Sequence, residues 1–187
     1  AARVSAKLRE EHPNLSIEIY SESTRKIVRK INDFSLDAGI LYFENGDPEA
    51  TVKLYEERYV FIAPKSLTIS EEKQITWAEV AQVPLCLLTQ NMKNRQLIDR
   101  HFLELELIPN IVTESSDFTA VLAQVARGNA ATIAPVSVAE TFLDLKFTRQ
   151  LDLIDPIMTH SVGLSIKDQS PVLPMIEALR NAVKSAL

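Results

Sequence analysis

Cysteine occurs once in the 187 residues, at Cys86, so the chain cannot close a disulfide on itself. That lone thiol lies inside the apolar run 83–88, which suits a core residue in a reduced, cytoplasmic setting better than a nucleophile. Glycine is nearly as scarce: there are four, and none has the spacing of a phosphate-cradling loop. A G-x-S-x-G nucleophile motif is absent as well. The three histidines, His12, His101 and His160, stand apart from one another and from any Cys, Asp or Glu at metal-ligand spacing. No catalytic residue, metal site or cofactor is therefore expected. No apolar stretch approaches the roughly 18 residues of a membrane span, and nothing near the first residue resembles a signal peptide. Positive charge is in deficit too, with 20 Lys and Arg against 25 Asp and Glu, a net charge of −5 and a pI of about 5.3. A domain that grips DNA through its phosphates normally carries a basic face, so these residues alone make a poor DNA binder.

What is present is ordinary globular material, 46% hydrophobic and 24% charged, arranged as short alternating strands and helices. The stretch 111–135, IVTESSDFTAVLAQVARGNAATIAP, is the clearest unit. Ile111 and Val112 begin a strand, and Ser115, Ser116 and Asp117 follow as three residues able to cap a helix. Val121, Leu122, Val125 and Ala126 share one helical face, Gly128 ends the helix, and the apolar run 130–134 reads as a buried parallel strand.

Around it, residues 1–11 read as a helix with no capping residue ahead, so further chain is expected to precede it. Leu15, Ile17 and Ile19 alternate with polar residues as a half-buried strand. Ser21 to Thr24 turn into a helix striped by Ile27, Val28 and Ile31, and residues 38–41 form a short strand. Residues 44–49 read as a loop, and 51–64 as two strands parted by Glu56 and Glu57. Thr76 and Glu79 make a capping box. Residues 84–88 are a buried strand. Residues 93–106 form an amphipathic helix, with Ile98, Phe102 and Leu105 inward and the charges outward. A short helix follows near 137–143, then strands near 151–154 and 161–166, and a last helix opens at Ser170-Pro171. Mostly parallel sheets are expected. The pairs Glu71/Glu72 and Glu104/Glu106 are better explained as solvated surface than as acid–base machinery.

One pattern could carry chemistry. Hydroxyl residues recur where strands turn into helices: Ser23 and Thr24, then Thr89, then Ser115 and Ser116. Each could simply cap a helix. Three such turns together suit a ligand cleft, since open α/β sheets bind ligands beyond the carboxyl ends of their strands.

The succession HPNLSIEIY (12–20), LDAGILY (36–42), LYEERYVFIAPKS (54–66), ITWAEVAQVPLCLL (75–88) and ESSDFTAVLAQVARGNAATIAP (114–135) resembles the effector-binding domain of LysR-type transcriptional regulators. Its most specific parts are the D-x-G strand at Asp37, Ala38 and Gly39, the crossover Phe61-Ile62-Ala63-Pro64, and the strand–helix–glycine–strand–proline pattern of 111–135. The resemblance implies an α/β fold of two Rossmann-like lobes joined by two crossover strands, like periplasmic solute-binding proteins. Lobe I would hold residues 1–60 and 161–187, without its first strand, and lobe II residues 61–160. The N-terminal winged helix-turn-helix is not in this sequence. The implied function is effector sensing in a bacterial regulator, with a small, anionic molecule bound between the lobes at Thr24, Tyr42, Ser115 and Ser116, and more weakly at Thr89. It further implies DNA contact only through the N-terminal domain, no membrane partner, a homodimer, and a tetramer at full length. A transporter's solute-binding protein is the alternative on the same fold. An enzyme is disfavoured because no base–nucleophile pair is visible.

Overall fold

The computed structural model describes residues 2–43, 52–69, 73–142, 146–167 and 173–186. The elements in chain order are α1 (Ala2–Glu11), α2 (Thr24–Asn32), β1 (Gly39–Phe43), β2 (Val52–Pro64) and β3 (Gln74–Thr76). They continue with α3 (Trp77–Ala81), β4 (Leu85–Leu88), α4 (Lys93–Glu104), β5 (Ile111–Ser115), α5 (Phe118–Ala126) and β6 (Thr132–Pro135). The last four are α6 (Val136–Phe142), β7 (Thr148–Ile154), β8 (Thr159–Ser165) and α7 (Pro174–Ala186). The chain divides into two compact units, Ala1–Glu56 with His160–Leu187, and Glu57–Thr159. The expected breaks lay a few residues later in the first crossing, after residue 60, and after residue 160 in the second.

In unit 1, β1 and β8 pair antiparallel, from Gly39 opposite Ser165 to Phe43 opposite Ser161. Helices α1 and α7 cover them, burying Val4, Leu8, Leu164, Ile166, Ile176 and Val183 together. The glycine of the D-x-G strand has a steric reason. A Cβ on Gly39 would lie 2.6 Å from Ile27 Cγ2 and 3.1 Å from Ile31 Cδ1, so α2 can sit this close only over glycine. Residues 15–18 keep their alternation, with Leu15 and Ile17 half-buried and Ser16 and Glu18 exposed, but Ile19 is exposed and the segment is not a strand. Their backbone pairs with no strand among the described residues, and an isolated extended segment has no ladder to define it. A cavity of about 460 Å³ lies alongside, lined by Leu8, Ile17, Gly39, Ile40 and Leu179 among others.

In unit 2 the second half of β2 is central. It pairs antiparallel with β6 on one side and β7 on the other, and β7 pairs parallel with β3. Tyr59 to Ala63 are fully buried, as their unbroken apolar character requires. Strands β4 and β5 pair parallel, and a parallel bridge from Leu85 to Ala131 sets β4 beside β6. Three expectations are corrected. The sheets are mixed rather than mostly parallel, because β2 runs against both β6 and β7. β6 is accordingly antiparallel to β2, with that one parallel bridge to β4. Residues 52–64 form one continuous strand, not two. Glu56 and Glu57 do not break it, because each carboxylate finds partners: Glu56 takes Ser161 Oγ and Lys53 Nζ, and Glu57 takes Ser137 Oγ. The loop 44–49, the pair Glu71/Glu72 and the helix start at Ser170-Pro171 lie outside the described residues. α7 is described from Pro174, its proline at the first helical position.

Candidate functional site

The geometry to examine is where β4 and β5 end. Both are short apolar or β-branched runs, LCLL and IVTES, and their parallel register sets Leu88 opposite Ser115. Thr89 is the next residue, and its N–H donates to the Ser115 carbonyl at 2.9 Å. The Thr89 carbonyl in turn accepts from the Met92 N–H at 3.0 Å, which turns the chain into α4. The N-cap position of α4 is Met92, whose side chain makes no capping bond, so the first N–H groups of this 12-residue helix get no help there.

The turn after β5 is built differently. Asp117 is the N-cap of α5, its carboxylate accepting from the Ala120 N–H at 2.9 Å. Of the three candidate caps, the carboxylate holds the position. Ser115 Oγ accepts a long bond from the Asp117 N–H at 3.4 Å, and Ser116 is exposed. The far end of α5 closes as a Schellman motif. Gly128, at φ +83°, donates to the Val125 carbonyl at 3.0 Å, and Asn129 to that of Gln124 at 3.1 Å.

Thr89, Ser115 and Ser116 are therefore brought together in unit 2. Thr24 and Tyr42 belong to unit 1. Thr24 is the first residue of α2; Ser23, at the N-cap, makes no side-chain capping bond, so neither hydroxyl serves as the cap. Tyr42 lies on β1 opposite Val162, half-buried and engaged with other groups of the protein. No group of three or more His, Cys, Asp or Glu able to hold a metal exists among the described residues. Burial pushes the Cys86 thiol up, away from the thiolate a nucleophile requires.

Three residues of unit 2 have buried or bonded positions that were not legible in the sequence. Arg95 was expected outward with the other charges of its helix but is only 3% exposed. It donates to Asp99 Oδ1 at 2.7 Å, to the Leu88 carbonyl at 2.9 Å and to Glu114 Oε1. Burial opposes its charge, yet the bonds to Glu114 and Asp99 outweigh that and hold the guanidinium above its ordinary range. Its position three and seven residues before Ile98 and Phe102 was the available signal. Asn94 is also buried, giving its amide N–H to Tyr59 Oη at 3.1 Å while its carbonyl oxygen has no partner among the described residues. Glu57 accepts from Ser137 Oγ at 2.9 Å and from the Ser137 N–H at 3.4 Å, so the start of α6 is occupied by the protein's own carboxylate.

Comparison with known proteins gives this geometry a context. The family model described as the LysR substrate binding domain matches residues 1–187. A probable RuBisCO transcriptional regulator from Trieres chinensis is 25% identical over 173 residues, 87% of this chain and 55% of that protein. The chain thus spans about half the length of the curated relatives it matches. Among solved structures, the effector-binding domain of QuiR in complex with shikimate matches at a TM-score of 0.81 and 16% identity, covering 97% of this chain and 87% of the other. The regulatory domain of CcmR from Synechocystis PCC6803, in complex with 2-PG, matches at 0.85 and 9% identity, covering 98% and 89%. These likenesses establish the fold, the periplasmic-binding-protein-like α/β architecture of LysR effector-binding domains. The curated relatives are named as transcriptional regulators, a non-enzymatic role, which lends nothing to a transporter's solute-binding protein.

Proposed function

The chain belongs to the LysR substrate binding domain family, and from that premise we propose that it is the effector-sensing half of a LysR-type DNA-binding regulator whose ligand is a small, oxygen-rich anion. DNA would be contacted only by the helix-turn-helix domain of the whole protein. The observation that carries the reading is the junction of Thr89 and Ser115 at the carboxyl ends of two parallel strands, with Ser116 exposed beside them. Ligands of α/β folds bind at such strand ends. The anionic end of the ligand suits the start of α4, where Met92 leaves N–H donors uncapped. The start of α5 suits a hydroxyl instead, because the Asp117 carboxylate already stands there. In unit 1, Thr24 and Tyr42 are proposed as effector contacts. Small molecules are what the QuiR and CcmR domains hold, shikimate in one and 2-PG in the other.

The test is a thermal-shift panel of inorganic phosphate and small hydroxy acids, shikimate and 2-PG included, followed by titration of each hit. A ligand at a hundredfold excess over its Kd raises stability by about 2.7 kcal/mol. Ser116→Ala and Thr89→Ala should each weaken binding by roughly two- to tenfold, the worth of one hydrogen bond. The melting temperature of the free protein should hardly move, since neither residue caps a helix. Lower melting temperatures with unchanged affinity would put the site elsewhere.

A further inference from the structure

Arg95 is the one charged side chain of α4 that points inward beneath the turns just described. A buried guanidinium is costly unless hydrogen bonds and opposite charge surround it, and here both do. Its acceptors are what matter. Leu88 is the last residue of β4 and Glu114 the penultimate residue of β5, so the two groups that Nη1 holds each sit one residue before a proposed effector hydroxyl, Thr89 or Ser115. Nε anchors the same guanidinium to Asp99, one turn along α4. The guanidinium is matched by two carboxylates, so it is not available as the effector's own counter-ion.

We propose that Arg95 is a positioning residue for the effector turn: by tying the end of β4 to the end of β5, it fixes the spacing of Thr89 from Ser115. The role of that turn in binding rests on the function proposed above; the geometric role of Arg95 does not. Arginine suits the task because its planar fork reaches three acceptors at fixed angles, where a lysine ammonium would act as a single flexible point charge. The side chain works from the rigid α4, so the strand ends are held against an element that is itself packed through Leu97, Ile98 and Phe102.

Two measurements on the whole chain decide it, each with Arg95→Lys and Glu114→Gln. The second variant keeps a hydrogen-bond acceptor on a half-exposed side chain and so is safe for folding. The first measurement is amide hydrogen exchange. The Thr89 N–H, bonded to the Ser115 carbonyl, should exchange about tenfold faster in Arg95→Lys and by a smaller factor in Glu114→Gln, the scale of losing one charge-assisted bond. The amides of Leu97 and Ile98 should be unchanged. An unchanged Thr89 rate overturns the proposal, and so does equal acceleration throughout unit 2, which would make Arg95 a general brace. The second measurement is the affinity for inorganic phosphate, expected to fall about tenfold in Arg95→Lys. Equal binding by wild type and variant also overturns the proposal. If phosphate does not bind the wild type, the anionic-effector reading is what fails, and Arg95 is judged on the Thr89 exchange rate.

Discussion

At the scale of single residues, burial and specific partners decide what each group does. Trp77 is fully buried, with its ring edge-on to Phe102 at 5.0 Å and its indole N–H donating to the Pro156 carbonyl at 2.9 Å. Phenylalanine there would leave a void and a carbonyl without its donor. Trp77→Phe is accordingly expected to cost about 2–4 kcal/mol in urea unfolding. Cys86 packs with Leu88, Val121 and Ala130, and burial raises its pKa. A thiol reagent at neutral pH should leave the folded protein unlabelled and label it fully once denaturant is added; rapid labelling of the native chain would contradict this core placement. Arg95 teaches the opposite lesson. Its charge pointed outward on composition and its spacing pointed inward, and spacing was right because two carboxylates and a carbonyl were waiting.

At the scale of elements, local chemistry and pairing contribute separately. The Thr76 capping box forms as its sequence demands: the Thr76 N–H donates to Glu79 Oε2 at 2.8 Å, and Thr76 Oγ1 accepts from the Glu79 N–H at 3.3 Å. The bonds from the Thr76 backbone and hydroxyl hold the Glu79 carboxyl below its usual range. A depressed folded pKa means stability that is present above the unfolded carboxylate pKa, near 4.3, and lost as pH falls through the lower folded value. Glu79→Ala should therefore cost about 1 kcal/mol at pH 7, and that difference should shrink below about pH 4 in thermal melts taken across pH. Residues 15–20 show what local pattern cannot supply. Their sequence alternation is that of a half-buried strand, but no described strand pairs with them. The Ile17 and Ile19 amides should exchange at nearly unprotected rates while those of Phe61 and Ile62 in β2 stay slow.

At the scale of the whole molecule, charge and exposed apolar surface govern partners. With a net charge of −5, the chain alone is expected not to bind duplex DNA specifically, as an electrophoretic shift assay across a salt series would reveal. No helix among the described residues is long and apolar enough to cross a membrane. Leu103 and Ile108 are 77% and 88% exposed, with Val112 more than half exposed close by in sequence. Leu105 and Leu107 between them are half-buried, so Leu103, Ile108 and Val112 present the apolar surface. An apolar set of this kind suits the isologous homodimer that the family resemblance implies. Sedimentation at micromolar concentrations should show a dimer for the wild type and a monomer for Leu103→Asp with Ile108→Asp; a wild-type monomer would remove the proposal.

The sequence by itself determined the family, the order of the described elements apart from residues 15–20, 52–64 and the short strand β3, the burial of 59–63 and 85–88, the capping box and the Gly128 stop. These follow from short-range causes: side-chain period, caps, and a left-handed φ that glycine tolerates. Only the tertiary structure decided that β2 is one strand, that β6 runs against it, and that Arg95 is buried. Each of those depends on a group distant in sequence that must be in place before the choice has an energy: Ser137 and Ser161 for the two glutamates of β2, β4 and β5 for the guanidinium. The hydroxyl turns were visible as a list of residues. That Thr89 and Ser115 meet at 2.9 Å, backbone to backbone, was settled by the pairing of β4 with β5, whose register no local pattern specifies.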